Sequence, residues 1–306
     1  MTVMKKTMKS VGMLIAALLL MSACEKMNFE ENGGKTTTEE EGVQVRFNVT
    51  RFEQIPFDDA FLTTKASVEV SKICTRISLA VFKGTEKLKL VNQEATNKDF
   101  GRFALTLPKG DYTVVIIAHS GAGSATITSP EEIKFANNKV TDTFSYCQDI
   151  TVSDAHAYDV ELKRVVAMFR LDIEDNMPDG VKAMQFKYTG GSSTLNARTG
   201  YGCVNSRQTE TREVTAAMTG KPARFEVYSF PHAETDQLKM TVAALGAGDT
   251  ELYSRVFEEV PITRNVVTLY KGHFFDAYTG GGSDGGQTVT VTLNADSTWT
   301  EVTHSY

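Results

Sequence analysis

The chain has 306 residues, 41% of them apolar, and a formal charge of −6 at neutral pH. That length exceeds the ~100–200 residues of a usual domain, so two domains are the expectation. The apolar share is enough for packed cores, and the negative charge disfavours a nucleic-acid partner, whose phosphates it would repel.

Residues 1–23 open with Lys5, Lys6 and Lys9 and continue as a short apolar run from Val11 to Met21. A basic head, a short apolar segment and small residues before a cut site make a secretory signal. The run is too short for a helix that must cross ~30 Å of hydrocarbon. Its removal takes three lysines and no acids, so the mature charge is −9. Ser22-Ala23 directly before Cys24 resembles the lipobox of bacterial lipoproteins. That resemblance implies acylation of Cys24 and cleavage before it. Attached chains, at ~0.8 kcal/mol per buried CH₂, would hold a body on a membrane surface. Residues 24–42 are polar and acidic and read as a flexible tether.

The first half, residues 43–156, reads as strands. Val43, Val45, Phe47 and Val49 alternate with polar residues, the period of a half-buried strand. Ser78–Phe82 and Leu88–Val91 flank the turn Lys83-Gly84. Phe103, Leu105 and Leu107 alternate, Pro108-Lys109-Gly110-Asp111 turns, and Tyr112–Ala118 is nearly all apolar, as in a strand covered on both faces. The spacing predicts a hairpin over Phe103–Ala118. Ile133–Phe135 and Val140–Val152 are further strand candidates.

A second domain is expected over residues 157–306. Asp159–Ile173 reads as two strands with a break near Arg164. Val181–Tyr188, Arg224–Phe230, Leu238–Ala244 and Val266–Tyr270 follow as strands, and Gly190–Gly220 as long loops. Residues 279–286 form a glycine linker, and 287–303 a terminal hairpin with Val289, Val291, Leu293 and the only tryptophan, Trp299. The pattern fits an all-β chain of two tandem β-sandwiches.

No sequence motif for catalysis stands out: there is no G-x-S-x-G, HExxH or phosphate-binding loop. His119 and His156 read as structural or exposed, and the acidic turn Asp172, Glu174, Asp175, Asp179 matches no calcium loop. After Cys24, the odd set Cys74, Cys147 and Cys203 reads as small buried thiols, with room for one disulfide the sequence cannot assign. No metal, cofactor or enzymatic role is expected.

Three stretches together resemble the fimbrillin superfamily of Bacteroidetes fimbrial lipoproteins. They are Ile77–Gly121 with its Leu107-Pro108-Lys109-Gly110-Asp111-Tyr112 turn, Val160–Arg170, and Arg264–Phe275 with a tryptophan-bearing end. The resemblance implies two transthyretin-like or immunoglobulin-like sandwiches and export to the outer membrane surface. It further implies a place in a fimbria, among other subunits and within reach of a host ligand. In members of that family that polymerise, an arginine-specific protease removes the first strand, and a neighbour's strand fills the groove. Arg46 and Arg51 occupy the corresponding place. Residues 287–303 have the alternation and flexible lead of a donor, with Val289, Val291, Leu293 and Trp299 as its candidate anchors. The alternative is a surface lipoprotein that binds glycans through a sandwich face.

Overall fold

The structure is a computed structural model that describes residues 42–53, 69–275, 292–295 and 300–305, the last two stretches as backbone strands. Cys24, Val289, Val291 and Trp299, and the linker over 279–286, lie outside the described residues. The described residues all fall in one compact unit. Among the described residues the regular structure is strand, apart from three single turns of 3-10 helix. The all-β expectation stands. No helix there is long and apolar enough to cross a membrane.

The first sheet contains β1 (Val43–Phe52), β2 (Arg76–Lys83), β3 (Glu86–Glu94), β4 (Arg102–Leu107), β5 (Gly110–His119), β8 (Thr143–Val152) and β9 (His156–Arg164). Its order is β3-β2-β5-β8-β9-β1-β4. β8 and β9 pair only at Phe144–Arg164 and Ser145–Lys163. That short seam lets the sheet fold over, so β3-β2-β5-β8 faces β9-β1-β4 across one core. Phe47, Leu79, Val114, Phe144 and Leu162 meet there, all buried.

Sequence and structure part at Phe103–Ala118. β4 pairs with β1, and β5 with β2 and β8, so the two strands form an arch between layers and no hairpin. Burial explains the difference. β4 alternates buried and exposed residues, as an edge strand does, while β5 is buried from Tyr112 to His119. Strands with such different surroundings belong to different layers. The turn itself is as expected: the Tyr112 hydroxyl donates to the Pro108 carbonyl at 2.8 Å.

Beyond Val165-Val166 come β10 (Ala167–Ile173), β11 (Ala183–Gly190), β14 (Ser206–Glu213), β15 (Ala223–Ser229), β16 (Thr235–Leu245), β17 (Glu251–Thr263) and β18 (Val266–Gly272). The chain ends in β19 (Thr292–Ala295) and β20 (Thr300–Ser305). The sheets β15-β10-β18-β20-β19 and β14-β11-β16-β17 share a core that includes Phe169, Phe186, Val242 and Phe257. β9 opens at His156, beside the expected boundary near Ala157, and its pairing belongs to the first sheet. The passage to the second sandwich falls at Val165-Val166. The break near Arg164 is therefore a change of layer.

Gly190–Gly220 holds more order than loops. β12 (Thr194–Asn196) and β13 (Tyr201–Gly202) join β6 (Thr126–Ser129) and β7 (Glu132–Lys134) in a small sheet, order β13-β12-β7-β6. Thr194 pairs with Lys134 and Leu195 with Ile133, so this sheet staples the two sandwiches together. Beneath it a third apolar cluster joins Phe82, Val115 and Ile117 to Met168, Leu195 and Phe230. That cluster covers the second face of β5, which explains its continuous apolar run. Arg198 crosses the same joint, donating to Glu131 at 2.7 Å and to the Thr113 hydroxyl at 3.0 Å.

His119 ends β5 and is buried. Its Nδ1 accepts the Gly121 N–H at 3.0 Å, and its ring meets Phe135 edge-on. Burial, with Arg76 nearby, pulls its pKa down to about 4. A folded pKa below the unfolded ~6.5 means that the unfolded chain takes the proton first. Stability is then whole above pH ~6.5 and falls as pH drops, by roughly 3 kcal/mol at pH 4. His119→Asn keeps an acceptor for Gly121 and does not titrate. Urea midpoints at pH 7 and pH 4.5 should differ less in this variant than in the parent. An equal difference would remove His119 from the acid response.

Candidate assembly site: the first strand and the sheet edges

β1 is an interior strand. It runs antiparallel to β4, from Val43–Leu107 to Asn48–Arg102, and parallel to β9, from Val45–His156 to Phe52–Leu162. Its period of two puts Val45, Phe47 and Val49 into the core and Arg46, Asn48 and Thr50 on the outer face. Phe47 stacks on Tyr158 at 5.1 Å, and Phe52 meets Phe144 edge-on at 4.9 Å. Val49 N–H donates to the Gly101 carbonyl and Glu53 N–H to the Leu162 carbonyl, which closes the ladder at its far end.

The two candidate arginines differ in setting. Arg46 is exposed as a side chain, but its residue pairs with Ala104 on one side and Ala157 on the other. Arg51 is exposed and follows the register shift between Val49 and Arg51, where the β1–β9 ladder is irregular. A protease needs backbone that it can draw into its own cleft, and interior ladder backbone is already engaged.

On the outer face of β9-β1-β4 lies a groove of about 1220 Å³. Its floor is the row Ala104–Arg46–Ala157 and the row Arg102–Asn48–Asp159. Glu69, Val70, Asp99 and Phe100 form part of its wall. Nothing in the sequence order announces it, because its lining runs from Arg46 to Asp159.

At the other end of the chain, Asp175 is buried and accepts the backbone N–H groups of Phe274 and Phe275. Both phenylalanines are packed in the second core. The body is thus fastened at Phe275. β20 pairs parallel with β18, Val266–Thr300 through Lys271–Ser305, and β19 pairs antiparallel with β20. Leu293 sits in β19 opposite Val302. Thr292–Ala295 and Thr300–Thr303 thus pair at the edge of this sheet, and the rest of the expected 287–303 hairpin lies outside the described residues. Among the described residues the remaining sheet edges are β3 and β4, β14 and β17, β15, and β13 and β6 of the small sheet. β17 carries Val256, 54% exposed, and was not legible as a strand because its exposed stretch is polar and mixed.

The other sequence candidates are scattered. His156 lies over Tyr158. Asp172 pairs with Arg224 and Glu174 with Lys271, so the acidic turn is divided among separate partners. Among the described residues no group of side chains could hold a metal ion. Cys74, Cys147 and Cys203 are free thiols. Burial pushes the pKa of Cys74 up to about 12 and that of Cys147 to about 11. Cys203 is exposed, contrary to the expectation of buried thiols, because it stands just past the short β13.

Fold and site define an all-β architecture with two packed cores, an interior strand β1 and a pair of strands, β19 and β20, at the far edge. Residues 36–304 match a family of unknown function, DUF6562, and the chain belongs to it. No curated protein matches it in sequence. Among solved structures, the chain is similar to a candidate adhesin from Bacteroides ovatus, with 13% identity, TM-score 0.47, 76% of this chain and 88% of that one. It is also similar to the fimbrial anchor protein Mfa2 from Porphyromonas gingivalis, with 8% identity, TM-score 0.38, 70% of this chain and 82% of that one. The tip fimbrial protein Mfa3 from the same organism shows 10% identity and TM-score 0.35 over 75% of this chain and 94% of that one.

Proposed function

We propose that the chain is a non-enzymatic, surface-exposed lipoprotein that serves as a fimbrial subunit or anchor and joins its neighbours by β-strand addition. The observation that carries this reading is the setting of β1. Its withdrawal would leave β4 and β9 with facing rows of unpaired N–H and C=O groups and an apolar slot emptied of Val45, Phe47 and Val49. A guest strand with alternating apolar residues satisfies both demands at once. Arg51 is the better candidate for a maturation cut, since Arg46 is held in two ladders. A cut after Arg51 would part the body from both β1 and the lipid on Cys24. The uncut chain would then serve as the membrane anchor, and the cut chain as a subunit with an open slot. The donor is the segment 287–303, whose Leu293 stands in the edge strand β19.

Two measurements test this reading. Mass spectrometry of the surface protein should find an acylated Cys24 in the anchor form or a start at Phe52 in the polymerising form. Deleting residues 287–306 should abolish the ladder that unboiled surface material gives on a gel, while the body, fastened at Phe275, keeps its melting temperature within a few degrees. A ladder that survives the deletion rejects the donor role.

A further inference from the structure

The assembly reading uses the inner face of β1 and leaves its outer face unexplained. We infer that the groove on the outer face of β9-β1-β4 is a binding site for a neutral oligosaccharide. At about 1220 Å³ it exceeds the ~300–1,000 Å³ of small-molecule pockets, so it suits an extended ligand. Its charges cancel: Arg46, Lys98 and Arg102 face Glu69, Asp99 and Asp159. A balanced set neither attracts an anion nor a cation as a whole. It offers instead closely spaced donors and acceptors, and a sugar hydroxyl is both.

The floor makes this concrete. Arg102, Asn48 and Asp159 stand side by side on three adjacent strands, a guanidinium, an amide and a carboxylate in one row. Asn48 Nδ2 already points to Asp159 Oδ1 at 3.4 Å. Among the described residues, the side chains of Lys98, Asp99 and Arg102 have no hydrogen-bond or ion-pair partner. Ala104 and Ala157 keep the middle of the floor low, and Phe100 and Val70 supply an apolar wall for the C–H face of a sugar ring. The wall is held in advance: Gln93 Nε2 donates to the Arg102 carbonyl at 2.7 Å and its Oε1 accepts the Gly101 N–H at 2.8 Å. Such preorganisation saves ordering entropy on binding. A peptide strand would want alternating apolar pockets, which this floor lacks. Four lining residues belong to β1, so the groove exists only while that strand is in place.

The test is a microarray of neutral, sulfated and sialylated glycans, with a peptide array beside it, probed with the full chain. Neutral oligosaccharides should be retained. Arg102→Ala, Asp159→Ala and Asp99→Ala should each lower retention roughly ten-fold or more, the worth of one hydrogen bond to a charged group. Asp99 lies in the exposed β3–β4 connection, so its variant leaves the fold intact if the floor variants do not. No retention, retention of anionic glycans or peptides alone, or retention unchanged in all three variants overturns the site. The gel ladder of the same variants reports on assembly separately: a normal ladder with lost retention is expected, and a normal ladder with no retention by the parent refutes the groove alone.

Discussion

Asp142→Ala should lower stability by about 3–5 kcal/mol, the cost of leaving a buried ion without its partner. Arg164 is completely buried and is the largest such side chain among the described residues. Its Nε and one terminal nitrogen donate to the two Asp142 oxygens at 2.8 and 2.9 Å. The other terminal nitrogen donates to Asn265 Oδ1 at 3.3 Å, and the guanidinium lies over Phe144, 4.8 Å from the ring centre. Asn265 belongs to the β17–β18 turn with φ of 64°, and its N–H donates to the Val166 carbonyl. One arginine thus ties the end of the first sandwich to a turn of the second. Burial pushes the Asp142 carboxyl up, and the Arg164 guanidinium pulls it back. At 2–4 °C per kcal/mol for a chain of this size, the melting temperature should drop by roughly 10 °C. The double replacement Arg164→Met with Asp142→Leu removes both charges and should recover most of the loss. Differential scanning calorimetry of the three variants decides. A drop of under 1 kcal/mol in Asp142→Ala, or no recovery in the double variant, would show that the pair does not hold the joint.

The joint was not legible in the sequence, for a physical reason. Arg164 and Asn265 are 101 residues apart, and a lone arginine among apolar residues reads as a break in a strand. The same holds for the staple of β7 on β12, two short segments whose pairing depends on distant chain. β1, β5 and the β9–β10 pair were legible, because burial on one face or two writes its period into the residues themselves. β14, with the residues Ser-Arg-Gln-Thr-Glu-Thr-Arg-Glu, was not, since an edge strand with Glu210 as its buried residue carries no apolar alternation. There Glu210 is held by Tyr188, whose hydroxyl donates to it at 2.9 Å, and by Arg212 at 2.6 Å. The arch at Pro108 was misread because a tight turn fixes the reversal of the chain and says nothing about which strands then pair. Of the candidate site, the inner residues of β1 could be read directly. The groove on its outer face could not, since three strands and a loop build it from residues that look like ordinary surface.

Phe47→Ala should be the most damaging single change in β1, at about 3–5 kcal/mol, through lost burial and the cavity left behind. Phe47 is fully buried, stacks on Tyr158, and pairs with Phe103 on one side. Val45 and Val49 flank it on the same face, too small to fill the space. Arg46→Ala, one residue away on the outer face, should change stability by no more than ~0.5 kcal/mol. The loss has a particular address. β1 is the only described strand that joins β4 to the sheet, so weakening β1 should loosen β4 as well. Hydrogen exchange should therefore rise at Arg102–Leu107 and His156–Leu162, and stay unchanged across β11 and β16 in the second core. This places the strand's hold on the slot and its replacement by a guest on one scale. Straight after a cut at Arg51 the severed β1 is still seated by its ladders and must leave before a guest can enter. The Phe47→Ala chain, which holds it less tightly, should therefore shed it sooner and form polymer faster than the cut parent. Exchange that rises evenly through both sandwiches, or polymer that forms no faster, would separate the hold of Phe47 from the opening of the slot.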